Sequence, residues 1–307
     1  MSKSKVDIKS IMGRASEKRI LIPAFNVSYL PMIRPILDVL IDMNTFALIE
    51  VSRPDVEKFE AKSFEAVVEE YQRIAGNSRL TSLHLDHIPV IDEDGVRVPW
   101  KELIQKGIEL RFNSVMIDGS RLPLEENIEI TSEVVRMAHP FNIPVEAELR
   151  NVFGHERGPL SSYEELFHTK QGFTSVADAR RFVYETGVDW LSVACGNIHG
   201  AISGAAKDKD KVEARLDSQH IKRIKESVNN IPLVLHGGSS IRKESLLAGV
   251  RSGITKVNVG TVIRQAYERG FNEYRGNISI AQERVREKIE ELITDVYQIK
   301  NSAEMLL

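Results

Sequence analysis

Three short stretches each put a histidine at the end of an apolar run: "LHLDH" (residues 83–87), "ACGNIHG" (194–200) and "LVLHGGSS" (233–240). Three imidazoles, from His87, His199 and His236, gathered around one open position would be a catalytic zinc arrangement. Acidic residues end neighbouring runs: Asp86 beside His87, Asp118 in "SVMID", and Glu146 and Glu148 in "VEAEL". A lone histidine in such a place is more often a satisfied structural residue, and spacing alone leaves that alternative open. The other five histidines read differently. His84 packs or orients a neighbour, His139 and His220 fall in helical or connecting segments facing solvent, and His155 and His168 belong to a long loop.

Two glycine-bearing turns add an anion-binding element. Gly237, Gly238 and Ser239 of "HGGSS" stand where a strand turns into a helix, and Gly260 and Thr261 of "NVGT" stand in the next such turn. Free backbone N–H groups there, together with a helix N-terminus, attract phosphate. The alternative is that these glycines only permit tight turns.

Eight strand-like runs must position these residues: 20–25, 46–52, 80–86, 114–118, 143–149, 190–195, 231–236 and 255–259. Segments with apolar spacing of three and four separate them, among them 32–43 and 63–75, as in amphipathic helices. The runs are almost wholly apolar, as in a parallel sheet buried on both faces. Eight strand-then-helix units predict a (β/α)8 TIM barrel, whose chemistry sits at the C-terminal ends of the strands. An open doubly wound sheet is the rival, weakened because no Gly-rich dinucleotide fingerprint follows the first run. Without linker or low-complexity tract, residues 1–307 are expected to form a single domain. Residues 284–299 predict an added C-terminal helix. Asp94-Gly95, between alternating residues, predicts a β-hairpin over 88–100. Residues 150–175 read as a long polar functional loop.

Bulk properties narrow the classes. The chain has 307 residues, 42% hydrophobic and 28% charged, with a net charge of -3. That balance gives no case for nucleic acid or an anionic membrane surface. Cys195 is the only cysteine, which excludes a disulfide framework and fits a reducing compartment. With no signal-like N-terminus and no apolar span, the expected location is the cytoplasm.

The runs "IPAFNV", "LHLDH", "SVMIDGS", "LPLEENI", "VEAEL", "GNIHG", "LVLHGGSS" and "GITKVNVGT", in this order along nearly the whole chain, resemble the class II, metal-dependent ketose-bisphosphate aldolases of the fructose and tagatose type. The resemblance implies one catalytic Zn²⁺ on His87, His199 and His236, with Asp86 as general acid/base. It implies Glu156 in the long loop as the group that handles a proton at C3. Gly200, Gly237, Gly238, Ser239, Asn258, Val259, Gly260 and Thr261 would bind substrate and its phosphate, with Ser52 a less secure match. Asp118 and Glu148 match positions for a second, non-catalytic metal, and a monovalent cation is also allowed. The implied reaction is reversible aldol cleavage of a ketose bisphosphate to dihydroxyacetone phosphate and an aldehyde, in a homodimer or homotetramer.

Departures from the family pattern are Arg150 where glycine is usual, Thr174-Ser175-Val176 in place of Thr-Asp-Pro, and Gly260 where many fructose-specific members carry aspartate. The hairpin also looks longer than the family norm. Gly260 bears on specificity for fructose 1,6-bisphosphate, whereas Arg150 and the altered loop keep a second reading in view, a non-catalytic metal- and phosphate-binding barrel acting as a partner or regulatory subunit. A zinc hydrolase on the same fold is a third, without a second ligand cluster in the sequence to support it.

Overall fold

The computed structural model describes residues 7–149, 163–197, 213–238 and 241–307. Eight parallel strands close into a barrel in sequence order. They are β1 (Ile22–Asn26), β2 (Ala47–Ser52), β3 (Thr81–Pro89), β4 (Ser114–Asp118), β5 (Val145–Glu148), β6 (Trp190–Ser192), β7 (Leu233–Leu235) and β8 (Ile254–Val259). The expected TIM barrel is therefore present, each strand within a few residues of its predicted bounds. The strands are buried on both faces, β2 and β8 along their whole length, which is why their sequences do not alternate.

Helices surround the barrel with apolar faces inward, for example Ile33–Asp42 and Phe64–Ala75, the latter capped by Ser63. The added C-terminal helix starts earlier than its apolar pattern suggests. It spans Ile278–Glu291, begins at an Asn277 cap, and passes into a π turn at Leu292–Val296. Residues 163–169 of the expected long loop form the helix Tyr163–Thr169, so His168 is helical. Residues 150–162 of that loop, with His155, lie outside the described residues.

At Asp94-Gly95 the chain makes the expected turn, with Gly95 at φ +81. Asp92 N–H donates to Val96 O at 3.0 Å and Val98 N–H to Val90 O at 3.0 Å. Regular pairing is limited to one antiparallel bridge, Ile91 with Arg97. The hairpin is shorter than predicted because Ile88 and Pro89 belong to β3 and pair with β4.

The opposite face of the barrel reads as stability. There Lys225, 3% exposed, lies with its stem against Gly253 at the start of β8. Its Nζ is 2.6 Å from Ser16 Oγ, 2.7 Å from Asn230 O and 2.6 Å from Ile231 O. His220, expected at the surface, is buried instead, with Nε2 2.7 Å from the Thr174 carbonyl. His139 is exposed, as expected, with its Nε2 2.8 Å from Asp189 Oδ2.

Candidate active site

Asp86 and His87 are consecutive, and consecutive residues of a regular strand point to opposite faces. Here the β3–β4 register shifts between Leu85 and Ile88, and His87 has φ +39. A bulge of this kind re-aims side chains and is common beside active sites. It lets Asp86 and His87 both face the C-terminal mouth. A positive φ at a non-glycine residue costs on the order of 1 kcal/mol, so the packing around β3 must hold it. Glu146 and Glu148 need no such device, being two apart on one face of β5.

His236, at the end of β7, meets both glutamates. Its Nδ1 is 2.9 Å from Glu148 Oε2 and its Nε2 3.0 Å from Glu146 Oε1. The His87 and His236 rings are 4.4 Å apart, centre to centre, and His87 Nδ1 is 3.6 Å from Asp118 Oδ2. Burial would lower the pKa of both imidazoles, but the surrounding carboxylates dominate. Asp86 and Asp118 bring His87 to about 9, and Glu148 and Glu146 bring His236 to about 10. Burial works to raise the Asp118 carboxyl, yet the His87 contact holds it at about 2. Burial likewise opposes ionisation of Asp86, but His87, Lys256 and His236 keep its carboxyl below the ordinary value. Asp86 is thus an ionised base in a dry place. Asn258 Nδ2 donates to its Oδ1 at 2.8 Å and Asn26 Nδ2 to its Oδ2 at 3.2 Å.

Donor atoms of Asp86, His87 and His236 lie within 4.8 Å of one another, as do those of His87, Asp118 and Glu148, and those of Glu50, His84 and Asp86. The first set, with two imidazoles and a carboxylate at the barrel mouth, suits a divalent transition metal. The second matches the pair Asp118 and Glu148 expected around a further ion. His199, Gly200, Glu156 and Ser239 lie outside the described residues, and so does Arg150.

The glycine turns behave as two different things. Gly237 has φ +69, which favours glycine. At Gly238 a Cβ would lie 2.4 Å from Val257 Cγ2, so this glycine is required by close packing on β8. Val259 is 2% exposed and offers only backbone to a ligand. Thr261 opens the helix Thr261–Glu273. A Cβ at Gly260 would come 3.1 Å from Asn26 Oδ1, so an aspartate there would crowd the amide that holds Asp86. Asn258 turns its NH2 to Asp86, leaving its buried Oδ1 without a partner among the described residues. Ser52 lines the cavity beside His87, but its hydroxyl donates to Asp55 at 2.6 Å and caps the helix Arg53–Glu57.

Several site residues were not singled out by the sequence. Asn26 ends β1 in "IPAFNV". Asn197 accepts from Cys195 N–H at 2.8 Å and donates to the His236 carbonyl at 3.0 Å, tying the ends of β6 and β7 together. Beneath the site, Lys256 Nζ lies 2.8 Å from Glu146 and 3.4 Å from Glu50, all three fully buried. His84 joins this layer, with Nδ1 2.8 Å from Ser114 Oγ and Nε2 3.6 Å from Glu146. Burial and Lys256 lower its pKa to about 3, so it is neutral and supports its neighbours. Single charged residues inside the apolar runs "FALIEVS" and "TKVNV" were the available signal.

The family model for class-II fructose-bisphosphate aldolase matches residues 6–305. The chain belongs to that family. The fructose-bisphosphate aldolase of Giardia intestinalis is 31% identical to this aldolase over 284 residues, which cover 84% of this chain and 79% of that one. A 6-phospho-5-dehydro-2-deoxy-D-gluconate aldolase of Shouchella clausii is 37% identical over 179 residues, 58% of this chain and 52% of that protein. Among solved structures, the YdjI aldolase of Escherichia coli K12 superposes with a TM-score of 0.75 at 27% identity, covering 97% of this chain and 98% of that one. This aldolase is a metal-dependent carbon–carbon lyase that cleaves a phosphorylated ketose. The reading as a non-catalytic partner barrel is not favoured. No helix among the described residues is long and apolar enough to cross a membrane.

Proposed function

We propose that the metal is a single Zn²⁺ held by His87 and His236 together with His199, and that the products are dihydroxyacetone phosphate and an aldehyde. When bound, zinc supplies Lewis acidity toward the C2 carbonyl. The chain's own residues do the rest. Asp86 accepts the C4 hydroxyl proton as the C3–C4 bond breaks, and the bonding electrons pass to the C2–C3 half. Asn26 and Asn258 hold its two oxygens so that it meets that proton in one orientation. Glu156 returns a proton to C3. Gly200, Gly237–Ser239 and Asn258–Thr261 cradle the phosphate at C1, and Ser52 borders the substrate. Asp118 and Glu148 orient the two imidazoles and could hold a second ion. Residues 1–307 act as one barrel domain.

The observation that carries this reading is the bulge in β3, which turns a base and an imidazole from adjacent positions toward His236. The single buried cysteine supports a cytoplasmic home, and exposed Phe271, Tyr274 and Ile278 support self-association as a dimer or tetramer. The test is Asp86→Asn. It should keep its zinc and its fold while losing roughly 10²–10⁴-fold in cleavage rate. An unchanged rate, or full activity of the wild type after exhaustive chelation, would refute the mechanism.

A further inference from the structure

A cavity of about 290 Å³ opens from His87, Asp118 and Glu148 and runs outward between the helix Arg53–Glu57 and the hairpin. Its walls come from the ends of β2, β3, β4 and β5. The glycine turns follow β7 and β8, and in a closed ring of eight strands β3 faces β7 and β4 faces β8. With the C1 phosphate held at those turns and Asp86 acting at C4, this cavity is the space for the aldehyde half of the substrate.

Its charge is wrong for a second phosphate. Its outer wall carries Glu57, Asp92, Glu93 and Asp94 against Arg53, Lys58 and Arg121 among the described residues, while Asp118, Glu148 and His87 at its inner end belong to the metal site. Of the three arginine and lysine side chains, Arg53 and Lys58 are engaged. Arg53 Nε is 2.6 Å from Glu57 and its Nη1 3.5 Å from Asp92. Lys58 Nζ is 3.3 Å from Glu93. His87 faces Asp118. The hairpin thus brings its own carboxylates to two of the three basic side chains that could otherwise receive an anion. Carboxylates of this kind accept hydrogen bonds from sugar hydroxyls and repel a phosphate dianion.

We propose that this arm of the site takes an uncharged, hydroxyl-bearing aldehyde, so that the preferred substrate is a ketose 1-phosphate and not a ketose 1,6-bisphosphate. The proposal rests on the aldolase reading above. The test is condensation by the zinc-loaded enzyme of dihydroxyacetone phosphate with glycolaldehyde, with D- and L-glyceraldehyde, and with D-glyceraldehyde 3-phosphate. The expected kcat/KM for the best uncharged aldehyde is at least about tenfold above that for the phosphorylated one. Equal or better use of glyceraldehyde 3-phosphate overturns the proposal while leaving the aldolase reading intact. No condensation with any aldehyde overturns both. Replacing the hairpin charges in Asp92→Asn/Glu93→Gln/Asp94→Asn should free Lys58 and the Nη1 end of Arg53 and raise the relative use of glyceraldehyde 3-phosphate by about fivefold or more. If that variant fails to fold, Glu93→Gln alone should move the ratio the same way. An unchanged ratio in a folded variant overturns the charge argument.

Discussion

Lys256→Met gives a severe test of how the site is supported. The ammonium is fully buried, 2.8 Å from Glu146 and 3.4 Å from Glu50. Methionine fills a similar volume but leaves two buried carboxyl groups without their cation. Breaking a buried ion pair from one side costs about 3–5 kcal/mol. With an unfolding entropy of about 2.1 cal/mol/K per residue, a chain of 307 residues should lose about 5–8 °C in Tm. Calorimetry of chelated protein reads this without interference from metal. Adding Glu146→Gln removes the nearer of the two orphaned carboxyl groups, so the double variant should recover at least half of the loss. Activity carries a second signature. Lys256 is among the charges that hold the Asp86 carboxyl down, so its loss should move the acidic limb of kcat/KM to higher pH. A Tm drop under about 2 °C, or a double variant no more stable than the single, would refute the reasoning; either result is incompatible with a one-sided break of a buried pair.

Two further outcomes are expected. His236→Ala should abolish stoichiometric zinc by elemental analysis; a retained ion would remove His236 from the ligand set. Burial and Arg19 bring the Lys225 ammonium down to about 7 from 10.5, so between those values the unfolded chain binds more protons and stability rises with pH. Lys225→Met should lack that component of the rise when urea unfolding is compared at neutral pH and near the top of that window. Parallel curves for the two proteins would count against a neutral Lys225.

Much of the barrel was legible because burial on both faces forces apolar strands, and the helical period marks the segments between them. The polar strand ends Asp86, His87, Asp118, Glu148 and His236 were legible for a related reason: a charged residue closing an apolar run stands out. Asn26 and Asn197 were not, because an amide at a strand end looks the same whether it binds backbone or orients a carboxylate. Glu50 and Lys256 escaped because their meaning lies in each other, on strands that flank β1 and 206 positions apart in the chain. The C-terminal helix began early because its first turn is fixed by the Asn277 cap, whereas the apolar pattern strengthens only later. His220 was misplaced because its partner, the Thr174 carbonyl, is a backbone group that no residue-type pattern encodes.

The bulge at Asp86–His87 has a consequence for transplantation. Copying the base, the imidazoles and the carboxylates onto another eight-stranded scaffold would reproduce the composition of the site and still fail, because on a regular strand one of the two neighbours would face the surrounding helices. The unit that can be moved is the irregular strand together with the β4 edge that accepts its shifted register. For the same reason, a regular register from Leu85 to Ile88 would part the proton carrier from the ligand beside it even with both side chains kept.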